Sequence, residues 1–394
     1  MSKNILLIPF FLALIVIGLG LSGIGSVVPE ISGQFGVSSA VIGRIFLFHG
    51  LGYFISIMVA GFLGDIIQKN LILRLGLLIS VLGFAGIAFF PTFTPVVLCF
   101  MAMGVGLGFL DCMINPIVTT IFTKNPGTIL NLIHAFYGFG SLAAPRLYAF
   151  MNERNFVWQD FYKLVTVITV IVFILFLFPF IPKSQSKMGF HDILKIFRYK
   201  AFWFMGAITM FYAGGVTTLN GWLVSYFNEK GLPVPVGAVY LSFFWLGLMT
   251  GRFLLSWITD RIGHLRMIQI NALGGILFVT LSISLPISAL LTPTLLFLTG
   301  FMLSTIIPTT LAYAVVNYPE TASTASGWVL STNGVGMFFF PWFGGILASM
   351  TSFGTTLVLV PVLLVVMFVF QWLLAGEIKK SANCLLMMGF PHHQ

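Results

Sequence analysis

Charge is what this sequence has least of. Asp, Glu, Lys and Arg together make up 7% of its 394 residues, where a soluble domain carries about 25%. Too few ionised groups are present to cover a surface that faces water on every side. Cysteine is scarce as well, at three: Cys99, Cys112 and Cys384. Cys99 and Cys112 fall on one apolar run, about 20 Å apart at ~1.5 Å per helical residue, too far to pair. None has metal-ligand spacing, and His392–His393 reads as a solvated tail. No Gly-x-x-x-x-Gly-Lys-[Ser/Thr] loop is present, so nothing points to ATP hydrolysis. Gly104, Gly106 and Gly108 lie inside an apolar run rather than between a strand and a helix. They are packing positions, not a dinucleotide fingerprint. With no catalytic constellation either, an enzyme is not expected, and neither cofactor nor metal is called for.

What is abundant is apolar surface. Hydrophobic residues make up 58% of the chain, with 43 Phe and 41 Gly. Glycine suits membrane helices because it lets backbones approach closely. One crossing takes roughly 20 apolar residues. Such runs recur at 5–28, 40–64, 71–90, 95–123, 128–150, 162–181, 201–227, 236–258, 266–285, 292–316, 323–348 and 354–375. The pattern predicts an all-α membrane protein of twelve transmembrane helices. The first run is too long for the apolar region of a cleaved signal and is expected to stay as a span.

The formal charge of +9 is a topology signal rather than a nucleic-acid surface, because the basic residues sit in alternate loops. Lys69, Arg74, Lys124, Arg261, Arg266, Lys379 and Lys380 fall on one side, with Lys183, Lys187, Lys195, Arg198 and Lys200 in the mid-chain connection. The other side holds only Arg154, Lys163 and Lys230. The imbalance places both ends in the cytoplasm. The expected organisation is a six-helix bundle over 1–181, a cytoplasmic linker over 182–200, a second six-helix bundle over 201–375 and a cytoplasmic tail over 376–394.

The two halves echo each other. Gly138-x-Gly140-(x)4-Pro145 recurs as Gly334-x-Gly336-(x)4-Pro341, 196 positions on, and Gly64-Asp65 is echoed by Thr259-Asp260, 195 positions on. Matches at nearly one offset, close to half the length, argue for duplication. A parallel repeat about an axis along the membrane normal is a known transporter plan.

Local motifs resemble the major facilitator superfamily. Gly61-Phe62-Leu63-Gly64-Asp65 followed by Lys69 is similar to its signature loop between spans two and three. The basic part of that signature is lost here but kept in Thr259-Asp260-Arg261-Ile262-Gly263-His264. Asp65, Lys69, Asp260 and Arg261 would then form a cytoplasmic latch, an aspartate near a helix end bonding amides or a basic neighbour. An ordinary solvated turn is the alternative. The stretch Gly106 to Thr119, with Asp111 four residues before Asn115-Pro116, resembles span four of the fucose permease branch, the fucose–galactose–glucose proton symporters. Leu130 to Gly140 resembles its span five, and Gly251-Arg252-Phe253 its span eight. The resemblance implies proton-coupled uptake of a hexose or similar polyol. One departure stands out: that branch carries an aspartate four residues before a span-one proline, and here Gly25 precedes Pro29. A relay of two carboxylates is therefore not expected.

Asp111 is the carboxylate deepest in the apolar runs. A charge there costs about 2.5–3.5 kcal/mol on insertion scales, so it must face a cavity or a partner. As the proton-coupling residue it would take and release a proton as the cavity opens and closes; a bond to a neighbouring helix is the structural alternative. Asn115 lies one turn on, on the same face, with the donors and acceptor a sugar hydroxyl needs. Asn131 and His134 stand one turn apart on span five, and His134 serves equally well as a ligand or as a link between helices. His49 reads as structural. In the second half Asn220, Trp222, Tyr226, Trp245 and Asn333 offer amides beside aromatic faces, which suits a pyranose ring. For Trp222 and Tyr226 an interfacial belt role competes. Arg252 is assigned to the gate or scaffold rather than the binding site. The expected partners are a sugar-like solute, protons and membrane lipid, with the chain acting as a monomer. Two other functions stay open. One is an efflux antiporter, against which Ala144-Pro145-Arg146-Leu147-Tyr148-Ala149 departs from the Gly-Pro-x-x-Gly-Gly of drug antiporters. The other is a membrane sensor that has lost transport.

Overall fold

The computed structural model describes residues 7–121, 126–177, 200–317 and 322–387. At several helix ends within these stretches only the backbone is described. Among the described residues the chain is helical throughout. The helices are α1 (Leu7–Phe35), α2 (Ser39–Ile66), α3 (Lys69–Phe89), α4 (Phe93–Ile121), α5 (Pro126–Asn152), α6 (Trp158–Leu177), α7 (Lys200–Glu229), α8 (Val234–Ile262), α9 (His264–Ser284), α10 in two parts (Leu291–Leu303 and Ile306–Asn317), α11 (Ala322–Met350) and α12 (Phe353–Met387). Lipid offers no hydrogen bonds, so apolar runs of this length become helices, which satisfy their own backbone. Among the described residues ten segments are long and apolar enough to cross a membrane by length and composition. α5 and α11, the helices of the duplicated Gly-x-Gly motif, are not among them.

The helices form two six-membered bundles. In the first, α1 packs on α5 and α6, α4 on α2 and α3, and α3 on α6. In the second, α7 packs on α11 and α12, α10 on α8 and α9, and α9 on α12. The bundles meet along α2 with α11, α5 with α8, and α1 with α7. The predicted linker, 182–200, lies outside the described residues except for Lys200. The last helix runs on to Met387, beyond the predicted span end at 375.

Prolines explain several tertiary bonds. Pro145, inside α5, cannot donate to the Ser141 carbonyl one turn earlier. That carbonyl instead accepts from Ser22 Oγ of α1 at 2.8 Å. Pro308 likewise leaves the Ser304 carbonyl without its helical donor, and α10, expected to be continuous, breaks at Ser304–Thr305. Ser304 O accepts from Arg252 Nε at 3.4 Å. The connection between α8 and α9 is one residue, Gly263, at φ 91°, a backbone that L side chains rarely adopt. In the first half Gln68 takes this place with φ −63°, and two residues make the turn. The second copy of the signature keeps its glycine because its turn is tighter.

Described contacts between the bundles gather on the side that carries the α1–α2 turn. Phe46 packs on Trp222 with ring centroids 5.3 Å apart, and Phe54 on Phe338 at 6.2 Å. A Cβ added to Gly43 would stand 3.1 Å from Trp342 O, and one on Gly25 would stand 2.8 Å from the Asn220 carbonyl carbon. The bundles are thus closed against each other on the α1–α2 side.

Candidate functional site

Two polar groups lie at mid-depth, one within the first bundle and one across the seam. The first belongs to α2, α4 and α5. Asp111 is half-buried on α4 and accepts a hydrogen bond from Tyr53 Oη of α2 at 2.5 Å. Asn115, one turn on, donates weakly to the Asp111 carbonyl at 3.4 Å, and its Oδ1 lies 2.8 Å from His134 Nε2 of α5. A neutral imidazole protonated at Nε2 donates there. Tyr53 and Asp111 thus tie α2 to α4, and Asn115 and His134 tie α4 to α5. His49 is buried one turn from Tyr53, its ring stacked on the tyrosine at 6.4 Å.

The second group joins α1, α7 and α8. Asn220 is buried, with Oδ1 accepting from Trp245 Nε1 at 2.9 Å and Nδ2 reaching Leu21 O of α1 at 3.4 Å. Trp245 meets Tyr137 of α5 edge to face at 6.4 Å. Below this level Arg252 of α8 is half-buried. Its guanidinium lies 5.9 Å from the Tyr137 ring centroid and within reach of the Tyr212 hydroxyl. His134 stands within electrostatic range of both Asp111 and Arg252.

The remaining sequence-predicted residues are spread more widely. Trp222 is fully buried; its indole N–H donates to Pro341 O at 2.9 Å and its ring stacks on Phe353 at 5.6 Å. Tyr226 is buried nearer the α7–α8 turn, with Lys230 Nζ 5.8 Å from its ring centroid. Trp222 borders a cavity of about 140 Å³ on the α1–α2 side, which Pro29, Ser32 and Glu229 also line. Asn333 is half-buried on α11, next to Thr332, which bonds Thr209 at 3.0 Å. Lys69 is half-buried at the start of α3 and Arg261 exposed at the end of α8. The side chains of Asp65, Asp260 and Asn131 lie outside the described residues.

Sequence reasoning did not find Tyr53, Tyr137 or Tyr212. Nothing in the local sequence marks them, since each acts through a neighbour on another helix. It assigned Arg252 to the gate or scaffold without its partner, the Ser304 carbonyl that the broken α10 brings to it. That signal was present in Pro308.

Known proteins bear on this arrangement. The family model of the Major Facilitator Superfamily matches residues 10–338. Among curated relatives, a "TsgA homolog" of Buchnera aphidicola is 23% identical over 245 residues, 62% of this chain and 63% of that one. A Helicobacter pylori protein designated a glucose/galactose transporter is 26% identical over 257 residues, 60% of this chain and 62% of its own. The match thus spans somewhat under two thirds of these relatives' length. Among solved structures, the nucleoside transporter NupG superposes with TM-score 0.81 at 16% identity, covering 94% of this chain and 99% of that one. The fucose:proton symporter FucP of E. coli gives 0.66 at 19% identity, covering 95% and 99%. At such identities the structures speak for the fold alone. Two six-helix bundles, a duplicated chain and a family match over most of its length agree: the chain belongs to the Major Facilitator Superfamily.

Proposed function

We propose that the protein is a secondary active transporter that takes up a hexose or similar small polar solute by alternating access, coupled to protons through Asp111. The observation that carries this reading is the mid-depth chain Tyr53–Asp111 with Asn115–His134. It unites one titratable acid and hydrogen-bonding groups of both kinds at the level where the bundles meet. Asn220 and Trp245 supply an amide and an aromatic face opposite. The designation of the H. pylori relative and the proton symport of FucP lend support. The helix ends of the α2–α3 side, predicted to be cytoplasmic, would make this the inward-facing arrangement in an inner membrane. Asp65, Lys69, Asp260 and Arg261 would latch that side in the opposite state.

The test is uptake into proteoliposomes with a sugar panel, with and without an inward proton gradient. Gradient-driven accumulation of one or more sugars is expected. Asp111→Asn should abolish accumulation and spare exchange of solute present on both sides, because exchange needs no net proton release. Accumulation by Asp111→Asn in response to a pH step would refute the proton role, and no flux of any solute would refute transport.

A further inference from the structure

The α2–α11 and α5–α8 seams between the bundles are related by the duplication, yet they are built differently. On α11, Phe338 and Trp342 fill the seam with α2: Phe338 Cα lies 2.9 Å from where a Cβ on Gly50 would stand, and Trp342 O 3.1 Å from one on Gly43. The 196-residue offset that aligns Gly138, Gly140 and Pro145 with Gly334, Gly336 and Pro341 puts Leu142 and Arg146 where α11 has Phe338 and Trp342. On the α5–α8 seam the helices touch near Gly138 and Met249. Toward the α1–α2 side they leave a groove of about 430 Å³, walled by Phe139, Leu142 and Ala143 of α5 and by Val239, Ser242 and Phe243 of α8. Arg146 stands in this groove and is exposed.

An arginine here makes a physical demand. Arg146 is six residues from the end of α5, about 9 Å along the helix at ~1.5 Å per residue. At that depth a guanidinium is costly unless it reaches the interface or meets an anion. Among the described residues no acid and no hydrogen-bond acceptor is paired with it. Its neighbours are apolar apart from the Ser242 hydroxyl, which is engaged with Val239 O at 2.6 Å. An apolar slot with one cation near its interfacial end complements an amphiphile whose head is anionic. Guanidinium matches a phosphate in charge and fork geometry, and the exposed Phe139 and Phe243 offer a hydrocarbon wall.

We propose that the α5–α8 groove is a binding site for an anionic phospholipid, with the headgroup phosphate on Arg146 and an acyl chain between α5 and α8. Arg146 thus does with a lipid what Trp342 does with protein: it closes the seam on the α1–α2 side.

Native mass spectrometry on protein exchanged into phosphatidylglycerol–phosphatidylcholine nanodiscs and then delipidated stepwise tests this. Wild type should retain one phosphatidylglycerol in preference to phosphatidylcholine. Arg146→Gln should lose that preference by roughly five- to tenfold, the size expected for one charge near the headgroups, and Arg146→Lys should keep part of it. Ala143→Trp, which fills the groove but leaves the arginine, should displace the lipid as well. Equal retention by wild type and Arg146→Gln overturns the site. Retention by Ala143→Trp at the wild-type level overturns the acyl-chain assignment. Displacement of the lipid by millimolar glycerol phosphate would show a site for soluble phosphate instead and also overturn the proposal.

Discussion

Tyr53 Oη donates to Asp111 Oδ2 at 2.5 Å, the shortest described link between α2 and α4 at the level of the central site. A phenol bonded to a carboxylate makes a short, charge-assisted hydrogen bond. α2 also carries Phe54 and Gly50, which meet Phe338 of α11. Asp111 is thus joined, through one side chain and one helix, to the α2–α11 seam, which would have to open in the transport cycle proposed above.

Tyr53→Phe removes that donor and leaves the ring packing in place. A hydrogen bond to a charged group contributes about 1.5–3 kcal/mol, so accumulation driven by a pH step should fall at least tenfold while exchange survives. The measurement is counterflow beside gradient-driven uptake of the same solute. Wild-type accumulation by Tyr53→Phe would show that the bond plays no part in coupling.

Pro308→Ala tests the break in α10. The substitution restores an N–H that can donate to Ser304 O, the carbonyl now shared with Arg252 Nε. The expected outcome is a straighter α10, a released Arg252 and a lower transport turnover with little change in solute affinity. Spin labels on the two parts of α10 would report the angle. An unchanged label distance would place the cause of the break elsewhere.

Ten of the helices could be read from length and apolarity alone, and α5 and α11 from the weaker apolar runs that the duplication pairs at an offset of 196. The contacts that the sequence did not show share one property: they depend on helix rotation and on the packing of one helix against another. In a membrane most helix faces are apolar, so periodicity does not say which way Tyr53 or Tyr137 turns. Asp111 and Asn115 were legible as a pair because a four-residue step fixes a shared face. His134 was placed nearby but its bond to Asn115 Oδ1 needed the geometry. α10 was expected to be one run over 292–316, and Pro308 was the unused clue to its break. For Trp222 a sugar platform and an interfacial belt role were both open; the bond from its indole N–H to Pro341 O is a pairing invisible across 119 residues of sequence.

The glycine that replaces a carboxylate in span one has a structural reason. A Cβ on Gly25 would stand 2.8 Å from the Asn220 carbonyl carbon and 3.2 Å from Gly221 Cα. These are backbone atoms, which cannot swing aside as a side-chain tip can. α1 and α7 meet here only because position 25 has no side chain, and the same approach lets Asn220 Nδ2 reach Leu21 O. A carboxylate at this position is compatible with the bundles only when they part on the α1–α2 side. Gly25→Asp, which restores the acid of the fucose permease branch, should therefore not restore a second proton site in this arrangement. It should destabilise the arrangement by about 1–3 kcal/mol through overpacking, moving the equilibrium roughly 5- to 150-fold toward the state open on the α1–α2 side. Gly25→Ala should do the same to a smaller degree, which separates the steric effect from charge. Cysteines placed at Ser32 and Ser225, lining the cavity on that side, would report the change through thiol labelling from the α1–α2 side. Faster labelling in both variants is expected. Labelling unchanged by Gly25→Asp would mean that α1 and α7 do not need this contact to close, and the missing acid would again lack a structural reason.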